Sequence, residues 1–317
     1  MQTYLKTKPV WIQLLIFLGM GFGIFIVVLT LGGLLLSSIT GINLMQDPGK
    51  FDPNNPNAIL QIRGLLLLQF LSLFLIPTLL FAYFSDPKPL QYLGFRQPHS
   101  NIYWILGVIL MFTALPAVEY LGVLNQKISF GNDAAKWMKN MEEEAGKQIQ
   151  FMLNRHTISE LILNLVFISL FAAVGEELFF RGVLQRLFIR AFKDPWAGIV
   201  LTAVIFSAFH LQFYGFFPRL FLGIILGAIY WYSGSLWTAI LAHFCYDGFI
   251  IVLVYLNPKM IENTNQPMID STAIGLYALI GTAISFFLIW QLKKQSKTSY
   301  AEVYKNDKRT ADNPFTF

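Results

Sequence analysis

Residues 158–191 read ISELILNLVFISLFAAVGEELFFRGVLQRLFIRA. A hydrocarbon core takes about 20 apolar residues at about 1.5 Å each, so this run is long enough to cross one as a single helix. Its apolar pattern passes straight through Glu176, Glu177 and Arg181. An ionisable side chain at the centre of a bilayer costs about 2.5–3.5 kcal/mol on insertion scales. Two more lie in later apolar runs, His210 late in one and His243 early in another. Five such groups inside one bundle need a compensating purpose, and the usual one is a site.

Working outward, composition places the whole chain in a membrane. Its 317 residues are 55% hydrophobic and 13% charged, where soluble domains carry about 25% charged residues. Apolar runs recur near Trp11–Leu36, Ile62–Phe84, Ile102–Leu124, Ile158–Ala191, Trp196–Phe213, Phe216–Tyr232, Leu236–Leu256 and Thr272–Leu292. The expected fold is an all-α polytopic bundle of about eight spans. The first run follows Lys6 and Lys8 but is too long for a signal peptide and lacks a small-residue cleavage site, so it reads as an uncleaved anchor. The net charge of +5 does not point to nucleic acid, because the basic residues sit at the ends of apolar runs, as topology signals do. Lys6, Lys8, Lys88, Arg96, Arg186, Arg190, Lys193, Lys293, Lys294 and Lys297 share one side if the helices alternate. Both termini are then cytoplasmic, in a bacterial inner membrane or, alternatively, the endoplasmic reticulum. Gly131–Arg155, with Glu142–Glu144, contains helix formers and reads either as an interfacial helix or as a solvated loop, the loop being slightly preferred. The polar tail from Ser296 reads as mobile. Cys245 stands alone, which excludes an internal disulfide and leaves a small packing residue.

Helical geometry sorts the roles. Glu177 and Arg181 are four apart and share a face, while Glu176 points about 100° away and lacks a local partner. An unpaired carboxylate facing a cavity is a candidate general base acting on water. His243 and Asp247 are four apart, as are Phe206 and His210, which sets an aromatic wall beside a histidine. Glu176 lies about 21 Å from Arg190 along its helix, and His210 about 21 Å from Trp196. His243 is about 10 Å deep and Asp247 about 6 Å deeper. Glu119 and Asn164 read as helix-end or interhelical hydrogen-bonding groups, and His99 and His156 as solvated. Ser207 lacks a GxSxG elbow and is rejected as a nucleophile.

Three spacings together carry a resemblance: EExxxR at Glu176–Arg181, FxxxH at Phe206–His210 and HxxxD at His243–Asp247, in the contexts GEELFFRGVLQ, FSAFHL and FLGIILGAIYWYSGSLWTAILAHFCYDGF. They resemble the motifs of the CAAX protease and bacteriocin-processing (CPBP, or ABI) family of intramembrane proteases, related to the type II CAAX prenyl endopeptidase. The resemblance covers about Ile158 to Leu256. It divides the chain into N-terminal helices (1–157), a catalytic core (158–256), a last span (257–295) and a basic tail (296–317). It implies an endopeptidase acting on a membrane-associated peptide or protein, in which Glu176 and His210 activate water. His243 and Asp247 then hold the oxyanion, and Glu177, Arg181 and Phe206 support the site. Glu176, His210 and His243 can supply three ligands for Zn2+, leaving one position for water; metal-independent activation is the alternative. The family often has asparagine at the last position. Asp247, if ionised, only accepts hydrogen bonds, so it is cast instead as orienting His243 or ligating a metal. The competing classes are a non-catalytic scaffold or immunity-type protein and a proton-coupled transporter. Internal symmetry of the kind transporters show is not visible.

Overall fold

The computed structural model describes residues 3–42, 55–128, 131–262 and 273–304. Among these residues there are helices and turns and no strand. The principal helices are α1 (Val10–Thr40), α2 (Ala58–Ser85), α3 (Ile102–Gln126), α4 (Asn132–Leu153), α5 (Ile158–Phe192), α6 (Pro195–Phe209), α7 (Phe216–Ser233), α8 (Leu236–Leu256) and α9 (Ile274–Gln295). Seven helices are long and apolar enough to cross a membrane: α1, α2, α3, α5, α7 with the turn before it, α8 and α9. The chain is an integral membrane protein built as an all-α bundle. Of the eight runs expected, the fifth is corrected in its bounds: it ends at Phe209 as α6, a shorter apolar helix of 15 residues, about 22 Å.

Local chemistry sets where these helices begin and end. Thr157 caps α5 by accepting the Glu160 N–H at 3.2 Å. Asp194 caps α6 by accepting the Ala197 N–H at 2.7 Å, with Pro195 in the first turn, where a missing N–H costs nothing. α7 stops at Gly234, whose φ of 66° lets its N–H return to the Tyr230 carbonyl at 3.0 Å. α5 carries two stretches of wider π-helix, Leu165–Leu170 and Glu177–Gln185. Such bulges occur mostly at functional sites, and the second begins on the motif itself.

α5 is the hub, packed against α1, α2, α6, α7 and α8. Every residue from Glu177 to Gln185 is buried. α7 lies against α6 and α3, α8 against α3, and α9 against α3 and α7. The outside remains apolar: Leu15, Phe22 and Leu35 on α1 and Leu279 and Phe286 on α9 are exposed. Polar Gln13, Gln61, Ser72, Asn164 and Gln185 are buried instead. Only a bilayer makes that distribution favourable, since lipid tails solvate apolar side chains as well as a protein core does.

Two other expectations are corrected. The segment read as a solvated loop forms α4, a 22-residue helix with Met138 and Met152 buried. Its Met152 carbonyl accepts the Asn164 side chain at 3.0 Å. Residues 296–304 are not a loose tail. Ser296 Oγ donates to the Tyr232 carbonyl at 2.8 Å, and the Tyr304 hydroxyl to the Arg186 carbonyl at 2.7 Å. The remainder of the tail lies outside the described residues, as do most of Asp47–Asn57, the end of Asn257–Asp270 and Thr272. Basic residues expected on one side do gather at one end of the bundle, where Lys6, Lys88, Arg96 and Arg190 line one cavity and Lys293 lies close by.

The α5–α6 hairpin is tight enough to test. A Cβ on Gly198 would sit 2.7 Å from the Ile189 backbone nitrogen and 2.9 Å from its Cα. Backbone yields less readily than a side chain, so Gly198→Ala should cost about 1–3 kcal/mol, as overpacking does. The readout is a lower thermal midpoint of the purified protein. An unchanged midpoint would show that the two helices are not held this close.

Candidate active site

The motif residues converge from three helices. α5 brings Glu176, Glu177 and Arg181, α6 brings Phe206 and His210, and α8 brings His243 and Asp247. At the bottom lies a fully buried ion pair. Arg181 Nη1 donates to Glu177 Oε1 at 2.5 Å, and neither side chain has any exposure. Arg181 Nη2 donates to the Gly223 carbonyl at 3.0 Å, which ties α5 to α7. The guanidinium lies over the Phe206 ring, 4.7 Å from its centroid. The same Glu177 Oε1 accepts from His243 Nδ1 at 2.9 Å. One carboxylate therefore fixes both the arginine and the imidazole ring, setting the ring's orientation through its Nδ1.

His243 Nε2 is thereby turned toward two other carboxylates, Asp247 Oδ2 at 3.2 Å and Glu176 Oε2 at 4.0 Å. All three neighbours are acceptors, so the ring is placed to donate on both sides. His210 is set up in the opposite sense. α6 closes with a tightened last turn in which the His210 N–H reaches Ser207 O at 3.4 Å. The Phe206 carbonyl then accepts from His210 Nδ1 at 2.9 Å. A carbonyl can only accept, so Nδ1 carries the proton and Nε2 of the neutral ring keeps its lone pair. That Nε2 is 3.8 Å from Glu176 Oε1. Glu176 thus faces one nitrogen from each histidine across gaps too long for a direct hydrogen bond and wide enough to seat a water touching both sides.

The proposed zinc set does not come together as ligands. Its donor gaps of 3.8 and 4.0 Å exceed the roughly 3.3 Å between donors on a tetrahedral zinc with bonds of about 2.0–2.1 Å. His243 Nε2 is closer to Asp247 than to Glu176. Among the described residues, no group of three or more His, Cys, Asp or Glu is arranged to hold a metal ion.

Residues that the motifs do not contain complete the site. Immediately after His210 the chain reverses at Leu211, whose φ of 54° is rare for a side chain of its kind. Asn125 of α3 holds this reversal from both sides. Its Nδ2 donates to Phe213 O at 2.7 Å and its Oδ1 accepts the Phe217 N–H at 2.8 Å. Arg219 donates to Gln212 O at 2.8 Å and lies within electrostatic reach of His210, Glu176 and Glu142. Burial against this turn pushes the Glu142 carboxyl of α4 above its ordinary value, with Arg219 and the Tyr214 backbone pulling the other way. Spacing alone gives no signal for Asn125 or Arg219, since their partners lie 88 residues away and across a turn, respectively. Ser207 Oγ is occupied with the Phe216 carbonyl at 2.6 Å, which suits a staple and not a nucleophile. His156 meets Tyr255 at a tilt, their ring centroids 6.2 Å apart, and His99 lies at the basic end, away from the cluster.

The buried pair makes a separable prediction. Breaking a buried ion pair by removing one partner costs about 3–5 kcal/mol. Arg181→Met should therefore lower the thermal midpoint sharply. Adding Glu177→Leu removes the stranded charge and should recover part of that loss, while leaving His243 without its Nδ1 partner. A double variant no more stable than Arg181→Met would mean that the pair is not the source of the cost.

Comparison with known protein families finds a match in this region. Residues 158–249 match the family model described as "Type II CAAX prenyl endopeptidase Rce1-like". The matched stretch contains all seven motif residues. The chain is also similar to an uncharacterized protein, YpbD, of Bacillus subtilis (strain 168), 30% identical over 91 residues. That match takes in 27% of this chain and 43% of the relative, so less than half of the relative's length is spanned. No solved structure matches. The match over residues 158–249 is consistent with the CAAX protease family and takes in one region of a longer helical chain.

Proposed function

We propose that the protein is an intramembrane endopeptidase that hydrolyses a peptide bond of a membrane-associated peptide or protein. The observation that carries the reading is the pairing of Glu176 with a histidine nitrogen kept free to accept, His210 Nε2, at 3.8 Å. The opposed, donating His243 supports it, and so does the family match over this stretch.

The chemistry needs only these side chains. A water between Glu176 and His210 gives up a proton to one of them as its oxygen attacks the scissile carbonyl carbon. The carbonyl becomes an oxyanion, and His243 Nε2–H, which faces Asp247 Oδ2 at 3.2 Å, shares its one hydrogen between that carboxylate and the oxyanion to stabilise it. When the tetrahedral adduct collapses, the C–N bond breaks. The proton taken from water passes to the leaving amine, giving one acid and one amine. Glu177 and Arg181 act through His243. Asp247 also acts through His243, since a carboxylate cannot donate to an oxyanion.

Cleavage of a quenched prenyl-peptide and of an unbiased peptide library, wild type beside Glu176→Gln, tests the reading. Loss of a general base costs about 10²–10⁴-fold, and that is the drop expected. Well-folded Glu176→Gln that keeps its biological activity would instead identify a scaffold. A chelator arm accompanies each assay. Water activation by Glu176 and His210 alone predicts no effect; loss restored by Zn2+ would assign a metal to the site. A prenylated substrate class follows only if the prenyl-peptide is cut in preference to its unmodified form.

Asp247 gives an independent check. If it orients His243, Asp247→Asn keeps an acceptor of the same shape and should lower kcat by less than about tenfold. Asp247→Ala should lower it by more, with KM little changed in both. Equal losses would place residue 247 in direct contact with the reacting atoms.

A further inference from the structure

α7 reads FFPRLFLGIILGAIYWYS, and Arg219 is its single charged side chain. A lone ionisable group in a spanning helix points first to a site. The hydrolysis described above has no step for this one, because Glu176 and His210 handle the proton and His243 the oxyanion. The guanidinium is nevertheless firmly placed. Nη1 donates to the Gln212 carbonyl at 2.8 Å, and Nη2 donates to Gln212 Oε1. It also fills the space a side chain at 215 would need: a Cβ on Gly215 would meet Nη1, Cζ and Nη2 at 2.5, 2.7 and 2.8 Å.

Both oxygens that Gln212 supplies are uncharged, so they hold the cation without neutralising it. They use two of its five N–H groups, and a guanidinium fixed in this way favours bidentate contact with a carboxylate. The carboxylates within its electrostatic reach are Glu176 in the cluster and Glu142 on α4. Glu142 Oε2 is buried with no hydrogen-bond partner. Gln212 follows His210 by two residues, so the cation stands beside the more open of the two histidines, 27% exposed against 8% for His243. In the proposed hydrolysis the oxyanion forms at His243 and the amine leaves at the Glu176–His210 pair. The fragment headed by that amine therefore runs out past His210, toward Gln212 and Arg219.

We propose that Arg219 determines specificity by binding a carboxylate in the leaving fragment, either an acidic side chain or the fragment's own C-terminal carboxylate. The proposal rests on the endopeptidase reading of the same site.

Three quenched peptides share one apolar sequence up to the scissile bond and differ in the leaving fragment. One carries an internal Glu and an amidated end, one a Gln and a free carboxylate end, and one a Gln and an amidated end. Wild type should cleave a carboxylate peptide with kcat/KM about tenfold above the neutral one, mostly through KM, as one charge-assisted hydrogen bond gives. Which carboxylate is preferred names its source. Arg219→Gln should bring all three peptides to the neutral rate. Glu142→Gln removes the competing carboxylate and should lower KM for the preferred peptide alone. That variant decides the matter if Arg219→Gln does not fold, and an equal effect on all three peptides would then overturn the proposal. Equal cleavage of the three by wild type, or a preference that survives Arg219→Gln, also overturns it. If wild type cleaves none of them, the endopeptidase reading is what fails, and calorimetry with the same peptides separates the two ideas. A carboxylate peptide bound about tenfold tighter than the neutral one supports the carboxylate site; equal affinities or no binding overturn it.

Discussion

The Glu177–Arg181 pair is the constraint around which the rest is arranged. Two charges with no solvent exposure, 2.5 Å apart, are costly to bring out of water, and the attraction between them repays that only when every remaining donor and acceptor also finds a partner. The bundle supplies some of those partners from three further helices, the Gly223 carbonyl from α7, the Phe206 face from α6 and His243 from α8, and leaves Glu177 Oε2 and Arg181 Nε buried without a hydrogen bond. Each contact that makes the pair tolerable also fixes a helix against α5. The neighbouring Glu176, turned off that face, is left pointing at two histidines. The ion pair and the second carboxylate are adjacent in sequence, so one helix clamps with one face and, in the proposed mechanism, presents the general base with the next.

The shortness of α6 has a chemical consequence. A helix's final carbonyls have no N–H four residues on to accept from. A helix crossing the whole bundle would have spent the Phe206 carbonyl on the N–H of residue 210. Because α6 ends there and tightens, that carbonyl accepts from the His210 ring instead, and the free lone pair of Nε2 is turned inward. The reversal at Leu211 follows at once, in a backbone region that side chains of its kind seldom adopt. Strain of this sort persists only where surrounding structure over-determines it. Here Asn125 and Arg219 hold the turn from α3 and α7.

Much of this was legible in the residues. Hydropathy located the spans because lipid-facing and buried surfaces are both apolar. Spacings of four located Glu177–Arg181 and His243–Asp247 because a helix puts such residues on one face. What failed has physical causes as well. α4 is amphipathic and polar on balance, so it resembles a loop to any reading that weighs charge, although Met138 and Met152 give it a face to bury. The segment after Ser296 is held by single side-chain-to-carbonyl bonds to residues 64 and 118 positions away, and no local pattern encodes those. The same holds for Asn125. Depth estimates brought Glu176 and His210 level but left His243 shallower. The packing of α8 against α5 nevertheless brings His243 Nε2 to 4.0 Å from Glu176.

The aspartate at 247 changes how the site must be understood. An asparagine amide there could give a hydrogen bond directly to an oxyanion; an ionised aspartate can only accept. The structure places Asp247 Oδ2 3.2 Å from His243 Nε2 and Glu177 Oε1 2.9 Å from His243 Nδ1. The imidazole is therefore gripped at both nitrogens by acceptors. A ring held that way cannot rotate to present a lone pair and cannot exchange its role with His210, whose own ring is locked by a carbonyl in the opposite sense. The division of labour between the two histidines, one accepting and one donating, is thus written into their partners and not into the rings. In the proposed mechanism Asp247 contributes to it through His243. The acceptor that the asparagine would have spared is used here to hold the donor still.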